Sequence, residues 1–387
     1  MKKKILINCY EYPPSIHGGV GSFTRDLAEG AVKLGINVHV IGVYNPILLK
    51  LDKIIDENIN GVRVIRIPQS NFPIPQLKVL IDRLKLFIII KRLHKIEKYD
   101  ILESPESTGW FPLFIPVRPF IVRLHGAQVF FDNELKRKGS RLGYYLEKRT
   151  IKNADSLIAV SNYCGNKTLS LLKINKEFKT IYNGIDIDKI DSQIKAKKNS
   201  NTIVFANSVI KKKGVEELIK AFNLIGNDIP EFKLIIIGKS LGLVKGYGNY
   251  IDYLKTLIED QLQDRVIFTG WLATHSSVIE YLSSANVCVY PSHMEGQGIA
   301  PTEAMALRKP VIFMNNGPGP EVITNNYSGL LVNTKSPQEI ATAIITIIKN
   351  NELAEKFGIN AREAVENKFN KKLWLEKNME FYKNLLN

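Results

Sequence analysis

Short apolar runs alternate along this chain with longer stretches in which apolar residues recur every three or four positions, the pattern of strands and helices taking turns. Residues 4–9 and 37–43 read as buried strands, and a helix is predicted between them from about Ser22 to Leu34. The chain thus opens as a strand–helix–strand unit. Further strands are predicted at residues 100–103, 120–124, 156–160 and 180–182. From Asp186 to Asn201 the sequence turns polar and lysine-rich, DIDKIDSQIKAKKNSN, the composition of an interdomain linker. A second alternation begins at Thr202, with strands predicted at 203–206, 233–238, 266–269, 287–290, 311–314 and 330–332. Together the two series predict an α/β protein built from two doubly wound parallel sheets.

The stretch YPSHMEGQGIAPTEAMALRKPVI, residues 290–312, gathers the chemistry. An apolar strand ends at Pro291, and a helix is predicted over 300–307 with Pro301 at its first position. The loop between them carries Glu295, Gly296 and Gly298, and Glu303 is expected in the first helical turn. That turn offers unpaired N–H groups and a partial positive charge, a place for a phosphate or diphosphate. Taken singly, Glu303 fits a carboxylate favoured by the helix dipole and Glu295 a solvated loop charge. Their occurrence with a small-residue loop and a following strand at 310–313, all in one unit, favours a site.

Other loops at predicted strand ends add to it. Lys213-Gly214 lies between a strand and a helix, as a second phosphate site or as part of a solvated KKK turn. His125 and Gly126 follow the strand at 120–124, and the carboxyl ends of strands are where open α/β sheets bind ligands. Glu103, Ser104 and Glu106 follow the preceding strand, as an acceptor surface or as solvent-facing loop. The Gly18-Gly19 pair stands several residues beyond the first strand, which argues against the G-x-G-x-x-G placement of an NAD-binding fold.

Charge and composition narrow the partners. The chain has 387 residues, enough for two or three domains, with 45% hydrophobic and 24% charged residues, values of an ordinary globular protein. The net charge of +15 is uneven: residues 1–190 hold 30 Lys and Arg against 18 Asp and Glu. That half is suited to an anionic partner, such as acidic lipid, a phosphate-bearing acceptor or nucleic acid. A long helical pattern, QLKVLIDRLKLFIIIKRLHKIEK from Gln76 to Lys98, places Lys78, Asp82, Lys85 and Arg92 on one face. It reads as a helix packed on the sheet with a solvated basic face, or as an interfacial contact with anionic membrane aided by Lys136, Arg137, Lys138, Arg141, Lys148 and Arg149. No helix-turn-helix, zinc spacing or aromatic RNA-binding run accompanies the charge, so nucleic acid is not expected. The opening MKKKILINCY has too short an apolar run for a signal peptide, and no segment approaches the ~18 apolar residues of a membrane span. Three scattered cysteines, Cys9, Cys164 and Cys288, form no metal or redox spacing, and a cytoplasmic setting is expected.

Several of these segments stand in the order of a known family. Glu295 and Glu303 resemble the E-x7-E signature of the retaining family 4 glycosyltransferases, and PPSIHGGVGSF, VRLHG, YNGID, KKG and GPGPEVI resemble that family's other landmarks. The resemblance implies the GT-B architecture: two Rossmann-like domains facing across a cleft, residues 1–186 on the acceptor side and 187–365 binding a nucleotide sugar. The helix in 366–387 would cross back onto the first domain. It implies a glycosyl transfer from a nucleotide-diphosphate sugar to a lipid-linked or other glycan acceptor, such as one on a polyprenyl diphosphate, in cell-surface polysaccharide synthesis. No cofactor and no metal are implied. His125, Glu295 and Lys213 would serve catalysis: His125 and Glu295 touching the transferred sugar, Lys213 the diphosphate. Gly18, Gly19, Lys212, Gly296, Gly298, Ile299, Glu303 and Ser208 would line the donor, Glu303 reaching the ribose. Glu103 and Glu106 would lie on the acceptor side. The mechanism implied is front-face attack, with the leaving phosphate oxygen taking the acceptor's proton.

The chain departs from the family at several points. Ser208 stands where an arginine is common, leaving Lys211 or Lys212 as point-charge substitutes, and Gln297 stands where an aromatic is usual. Pro301 removes one helix-start N–H, and Gly317-Pro318-Gly319-Pro320-Glu321 replaces a Gly-Gly pair before a glutamate. A phosphorylase or disaccharide synthase of the same fold, and a non-catalytic binding homologue, are the alternative readings.

Overall fold

The structure is a computed structural model that describes residues 3–14, 18–45, 51–194, 201–240, 242–244 and 246–386. Part of the PPSIHGGVGSF segment, residues 15–17, and residues 195–200 of the expected linker lie outside the described residues. The chain forms two compact units, Met1–Ile181 with Trp374–Asn387, and Tyr182–Leu373.

The first unit holds β1 (Lys4–Asn8), β2 (Asn37–Tyr44), β3 (Ile55–Ile59), β4 (Val62–Pro68), β5 (Ile101–Pro105), β6 (Phe120–Leu124), β7 (Ser156–Ala159) and β8 (Lys179–Thr180). They form one sheet in the order β3-β4-β2-β1-β5-β6-β7-β8, parallel except for the edge strand β3. From β1 the chain builds outward through β2 and β4, then returns to β5 on β1's other side. This reversal makes the carboxyl ends of β1 and β5 the switch point, the place where such sheets take ligands. The β3–β4 hairpin is absent from the sequence expectation, yet its signal is present: Asn60 and Gly61, at φ 50° and 85°, make the two-residue turn between Ile59 and Val62. The helix after β1 begins at Gly19 rather than near Ser22, so the glycine pair opens the helix instead of lying in a long loop.

In the helix Lys371–Leu386 the buried residues Trp374, Asn378 and Tyr382 recur every four positions and share one face. Arg123, fully buried on β6, donates to Glu103 Oε1 at 2.7 Å and to Asn378 Oδ1 at 2.6 Å, while the Tyr382 hydroxyl donates to Glu103 Oε2 at 2.6 Å. The guanidinium also lies 4.7 Å from the centre of the Phe23 ring, which meets Trp374 edge to face. Two charges out of water are tolerated because each is paired and further bonded by neutral partners. This network fastens the terminal helix to the sheet.

Helix Pro75–Glu97 differs from its sequence reading. Asp82, expected on a solvated face, is buried and accepts from the Ser70 N–H at 2.7 Å. Arg83 is also buried, donating to the carbonyls of Gly109 and Val79, with its guanidinium 5.1 Å from the Trp110 ring centre. Two charged side chains therefore point inward, and Leu77, Leu80, Ile81, Leu84 and Ile88 are left exposed. Among the described residues no helix is long and apolar enough to cross a membrane.

The second unit carries β9 (Thr202–Ala206), β10 (Lys233–Ile237), the small hairpin β11 (Leu243–Val244) and β12 (Gly248–Asn249), then β13 (Val266–Gly270), β14 (Val287–Val289), β15 (Val311–Met314) and β16 (Leu330–Val332). Its main sheet is wholly parallel, in the order β13-β10-β9-β14-β15-β16. All six strands lie where the apolar runs predict them. Helices cover both faces: Val215–Ile225 and Pro337–Ile348 join one apolar layer, His275–Ser284 and Ile299–Ala306 the other. The expected linker starts later than its polarity suggests, since Ile187–Asp191 is a helix whose Ile187 and Ile190 are buried in this unit's core.

Replacing Arg123 by alanine should leave Glu103 buried without its countercharge and cost about 3–5 kcal/mol. Urea unfolding of the first unit should show a lower midpoint, with a smaller loss, about 1–2 kcal/mol, for Tyr382→Phe.

Candidate active site

In the second sheet the chain runs outward from β9 through β10 and β13, then returns to β9's other side with β14. The switch point lies between β9 and β14, and the two loops leaving those strands are fastened together. Gly214, at φ 71°, packs so closely that a Cβ there would fall 1.9 Å from the Pro291 carbonyl oxygen. No side chain fits that position. The His293 N–H donates to the Lys212 carbonyl at 2.9 Å, and Lys213 Nζ donates to Glu295 Oε1 at 2.5 Å. The same carboxylate oxygen accepts from Ser292 Oγ at 2.9 Å, and the Ser292 carbonyl accepts from Thr334 Oγ1. Both charged side chains are mostly buried, at 12% and 13% exposure. Lys213 and Glu295, 82 positions apart in sequence, thus form one unit of opposed charge.

The helix beside this loop spans Ile299–Ala306 and starts two residues before Pro301. Pro301 is therefore its third residue, still in the turn whose amides have no intrahelical acceptor. Glu303 is correspondingly the fifth residue, beyond the first turn, so the dipole does not account for it. Its carboxylate instead meets His275 Nε2 at 3.0 Å, with His275 Nδ1 3.3 Å from Gln193 Oε1. Gly298 caps the helix at φ 108°, and a Cβ there would lie 2.9 Å from the Phe313 ring. Gly296 is half-buried in the loop, and Ile299 is exposed at the helix start.

Two departures from the family pattern acquire a structural account. Gln297 is buried and pairs with the backbone of Asn183 in YNGID, accepting its N–H at 2.6 Å and donating to its carbonyl at 3.2 Å. The amide thus stitches two loops of the unit together. In GPGPE, a Cβ on Gly319 would fall 1.7 Å from the Met314 carbonyl oxygen, so the helix Gly319–Val322 sits directly on the end of β15. Glu321 accepts there from the Tyr182 hydroxyl at 2.9 Å. Ser208, half-buried just beyond β9, donates its N–H to the Asn207 side chain.

The first unit places its candidates beyond or near the carboxyl ends of its own strands. Glu11 accepts from the N–H of Gly18 at 2.8 Å and of Gly21 at 3.1 Å, so a carboxylate already occupies part of this helix start. A Cβ on Gly19 would meet open space. His125 packs edge-on against Phe23, 4.7 Å between ring centres, and burial, helped by the Arg123 charge, pushes its imidazole down to about 3. It is neutral at physiological pH. Glu106 and Glu103 do not face solvent as the sequence reading allowed. Glu106 is fully buried, and its Oε1 accepts the N–H of His125 at 2.8 Å and of Gly126 at 2.6 Å. Glu103 is held by Arg123 and Tyr382. Both are positioned to shape the strand ends that carry His125. Glu11 and His275 were missed in the sequence because each acts through a partner no periodicity or motif links to it.

Known proteins resemble this chain along most of its length. The family model described as "Glycosyltransferase Family 4" matches residues 17–189, and that described as "Glycosyl transferases group 1" matches residues 186–364. The chain is 30% identical to a capsular polysaccharide biosynthesis glycosyltransferase, CapM of Staphylococcus aureus, over 79% of this chain and 82% of CapM. It is 26% identical to a GDP-mannose-dependent phosphatidylinositol monomannoside mannosyltransferase of Mycobacterium tuberculosis, over 94% and 93% of the two chains. The fold superposes on HepE of Anabaena, solved in complex with UDP, with a TM-score of 0.76 at 18% identity, covering 99% of this chain and all of the other. The chain belongs to the family 4, group 1 glycosyltransferases and has their GT-B fold.

Burial raises the Glu106 carboxyl to about 8, its bonds from backbone N–H groups opposing the shift. The folded state therefore favours the protonated acid. Its contribution to stability is full below the ordinary carboxylate range, near 4.5, and is lost as pH rises through about 8. Glu106→Gln keeps an acceptor for both N–H groups and cannot ionise. Calorimetric unfolding temperatures of the two proteins should agree near pH 5 and separate by pH 9, the wild type falling at least about 3 °C below the variant. Parallel curves would show that Glu106 does not ionise in this way.

Proposed function

We propose that this glycosyltransferase moves a sugar from a nucleotide-diphosphate donor to a lipid-linked or other glycan acceptor at the cytoplasmic face of a membrane, with retention of configuration. The observation that carries the reading is the Lys213–Glu295 pair at the β9–β14 switch point, beside the start of the helix Ile299–Ala306. Breaking a glycosyl–phosphate bond leaves negative charge on the departing diphosphate. Donors fixed in advance around that charge lower the barrier most. Lys213 and the helix-start amides near Gly298 supply them. When Lys213 turns to the diphosphate, Glu295 is released from its ammonium and can accept hydroxyls of the transferred sugar.

Glu303 binds the ribose hydroxyls on this reading, and His275 orients its carboxylate. The part implied for His125, contact with the transferred sugar, suits a neutral imidazole, which can donate or accept without adding charge beside an electron-poor ring. Ser208 leaves the diphosphate without a forked guanidinium contact, so Lys213 carries more of the neutralisation, with Lys212 as the neighbouring cation. The departing phosphate oxygen takes the acceptor's proton, and no separate base is needed. The CapM and mannosyltransferase relatives, whose names give a capsular polysaccharide and a phosphatidylinositol glycolipid, support a surface-glycan or lipid-borne acceptor.

A thermal-shift panel of UDP-, GDP-, ADP- and CMP-linked sugars tests the reading. One nucleotide class should stabilise the protein by about 2–3 kcal/mol at a hundredfold excess over its dissociation constant, several degrees in midpoint. No stabilisation by any of them would favour a non-catalytic binding role.

A further inference from the structure

We propose that the outward face of helix Pro75–Glu97, with the neighbouring loop tip at Leu113 and Phe114, is a membrane-docking surface that seats in the headgroup region of an anionic bilayer. A helix packed on a sheet ordinarily turns its apolar stripe inward and its charges to water. Here Asp82 and Arg83 point inward and are satisfied by backbone partners, while Leu77, Leu80, Leu84 and Ile88 face out. The spacing of those four residues is that of a single helical face. Leu113 and Phe114 are the next part of the same surface, because the Phe114 ring meets Phe87 of the helix at 5.7 Å. Exposure of these six apolar residues runs from 39% to 64%, and the shared helical face joined through the Phe87–Phe114 contact makes them one patch rather than scattered side chains. Contiguous exposed patches mark interaction sites.

The occupant follows from charge. Continued along the same face, the stripe changes from apolar to cationic at Lys91, Arg92 and Lys95, all exposed. Lys91 lies 5.9 Å from the Phe87 ring centre, tying the cationic end to the apolar end. The one carboxylate in the helix's last turn, Glu97, is engaged by Lys4 and Arg63, and Asp82 is buried. An apolar stripe with a cationic end is the signature of a helix lying in the interface of an acidic bilayer, where each lysine or arginine near the surface adds about 1 kcal/mol worth of attraction, a roughly fivefold gain. A second copy of this chain would bring its own cations to the same rim. The surface deepens the membrane-side acceptor of the reading above, and for its purpose rests on that reading; the docking itself does not require catalysis.

The full chain can be tested by co-sedimentation with vesicles of phosphatidylcholine alone and of phosphatidylcholine with phosphatidylglycerol. The wild type should partition onto the anionic vesicles at least about tenfold more strongly than onto the neutral ones, and Leu80→Asp/Leu84→Asp should lose at least about tenfold of that binding. Both positions are exposed, and an unchanged unfolding midpoint will show that the variant folds. As an independent readout, the three native cysteines are buried, so Leu84→Cys accepts a single environment-sensitive dye. Its emission should shift to the blue on anionic vesicles only. Equal vesicle binding by wild type and double variant, or a dye unmoved by lipid, would overturn the proposal. So would concentration-dependent dimerisation that the double variant abolishes, which would assign the face to a second copy. The nucleotide-sugar shift of the variant separates the two readings: docking lost with the shift retained supports this surface, whereas vesicle binding without any nucleotide shift in the wild type supports the surface and removes the transferase reading.

Discussion

The close approach of Gly214 to the Pro291 carbonyl is the constraint on which the second unit's site depends. Parallel strands β9 and β14 are neighbours although more than 80 residues separate them, and their exit loops must share the space at the switch point. Only a residue without a side chain, in the left-handed region, lets those loops touch. With the backbones in contact, Lys213 and Glu295 cannot avoid each other. The lysine is held by the carboxylate, the carboxylate by Ser292, and Ser292 by Thr334 at the far edge of the unit. A sheet topology thus brings two opposed charges into contact at the strand ends.

The first unit uses carboxylates for architecture. Glu11 caps a helix start, Glu106 gathers the amides after β6, and Glu103 balances Arg123 beneath the terminal helix. Each is a carboxyl group placed where unpaired N–H donors or a buried cation need an acceptor. The result is a bonded set of strand ends around His125, which stays uncharged because burial and the neighbouring guanidinium both disfavour its charged form. Where the charges go inward, as at Asp82 and Arg83, apolar surface is displaced to the outside.

Much of the fold was legible because buried parallel strands read as short apolar runs, and all six of the second sheet were found that way. The β3–β4 hairpin was overlooked although Asn60-Gly61 announces it, since an edge hairpin with one exposed strand lacks the continuous apolar run used to find the others. Helix starts were misplaced, by three residues at Gly19 and by one at Ile299, as the N-cap residues Gly18 and Gly298 have no side chain to mark the boundary. That small shift moved Glu303 out of the first turn and exchanged a dipole explanation for a histidine partner. The inward turn of Asp82 and Arg83 was beyond reach, because the backbone atoms that satisfy them belong largely to loops distant in sequence. Loop motifs nominated the candidate residues; only tertiary contacts told which of them meet.

In the proposed transfer, Lys213 holds the diphosphate. Isothermal titration of the wild type and Lys213→Ala with UDP and with GDP tests it most directly. The nucleotide that binds the wild type should bind the variant at least about tenfold more weakly, a loss of about 1.4 kcal/mol or more, and with a shallower dependence on salt. Equal affinity and equal salt dependence in the two proteins would contradict it.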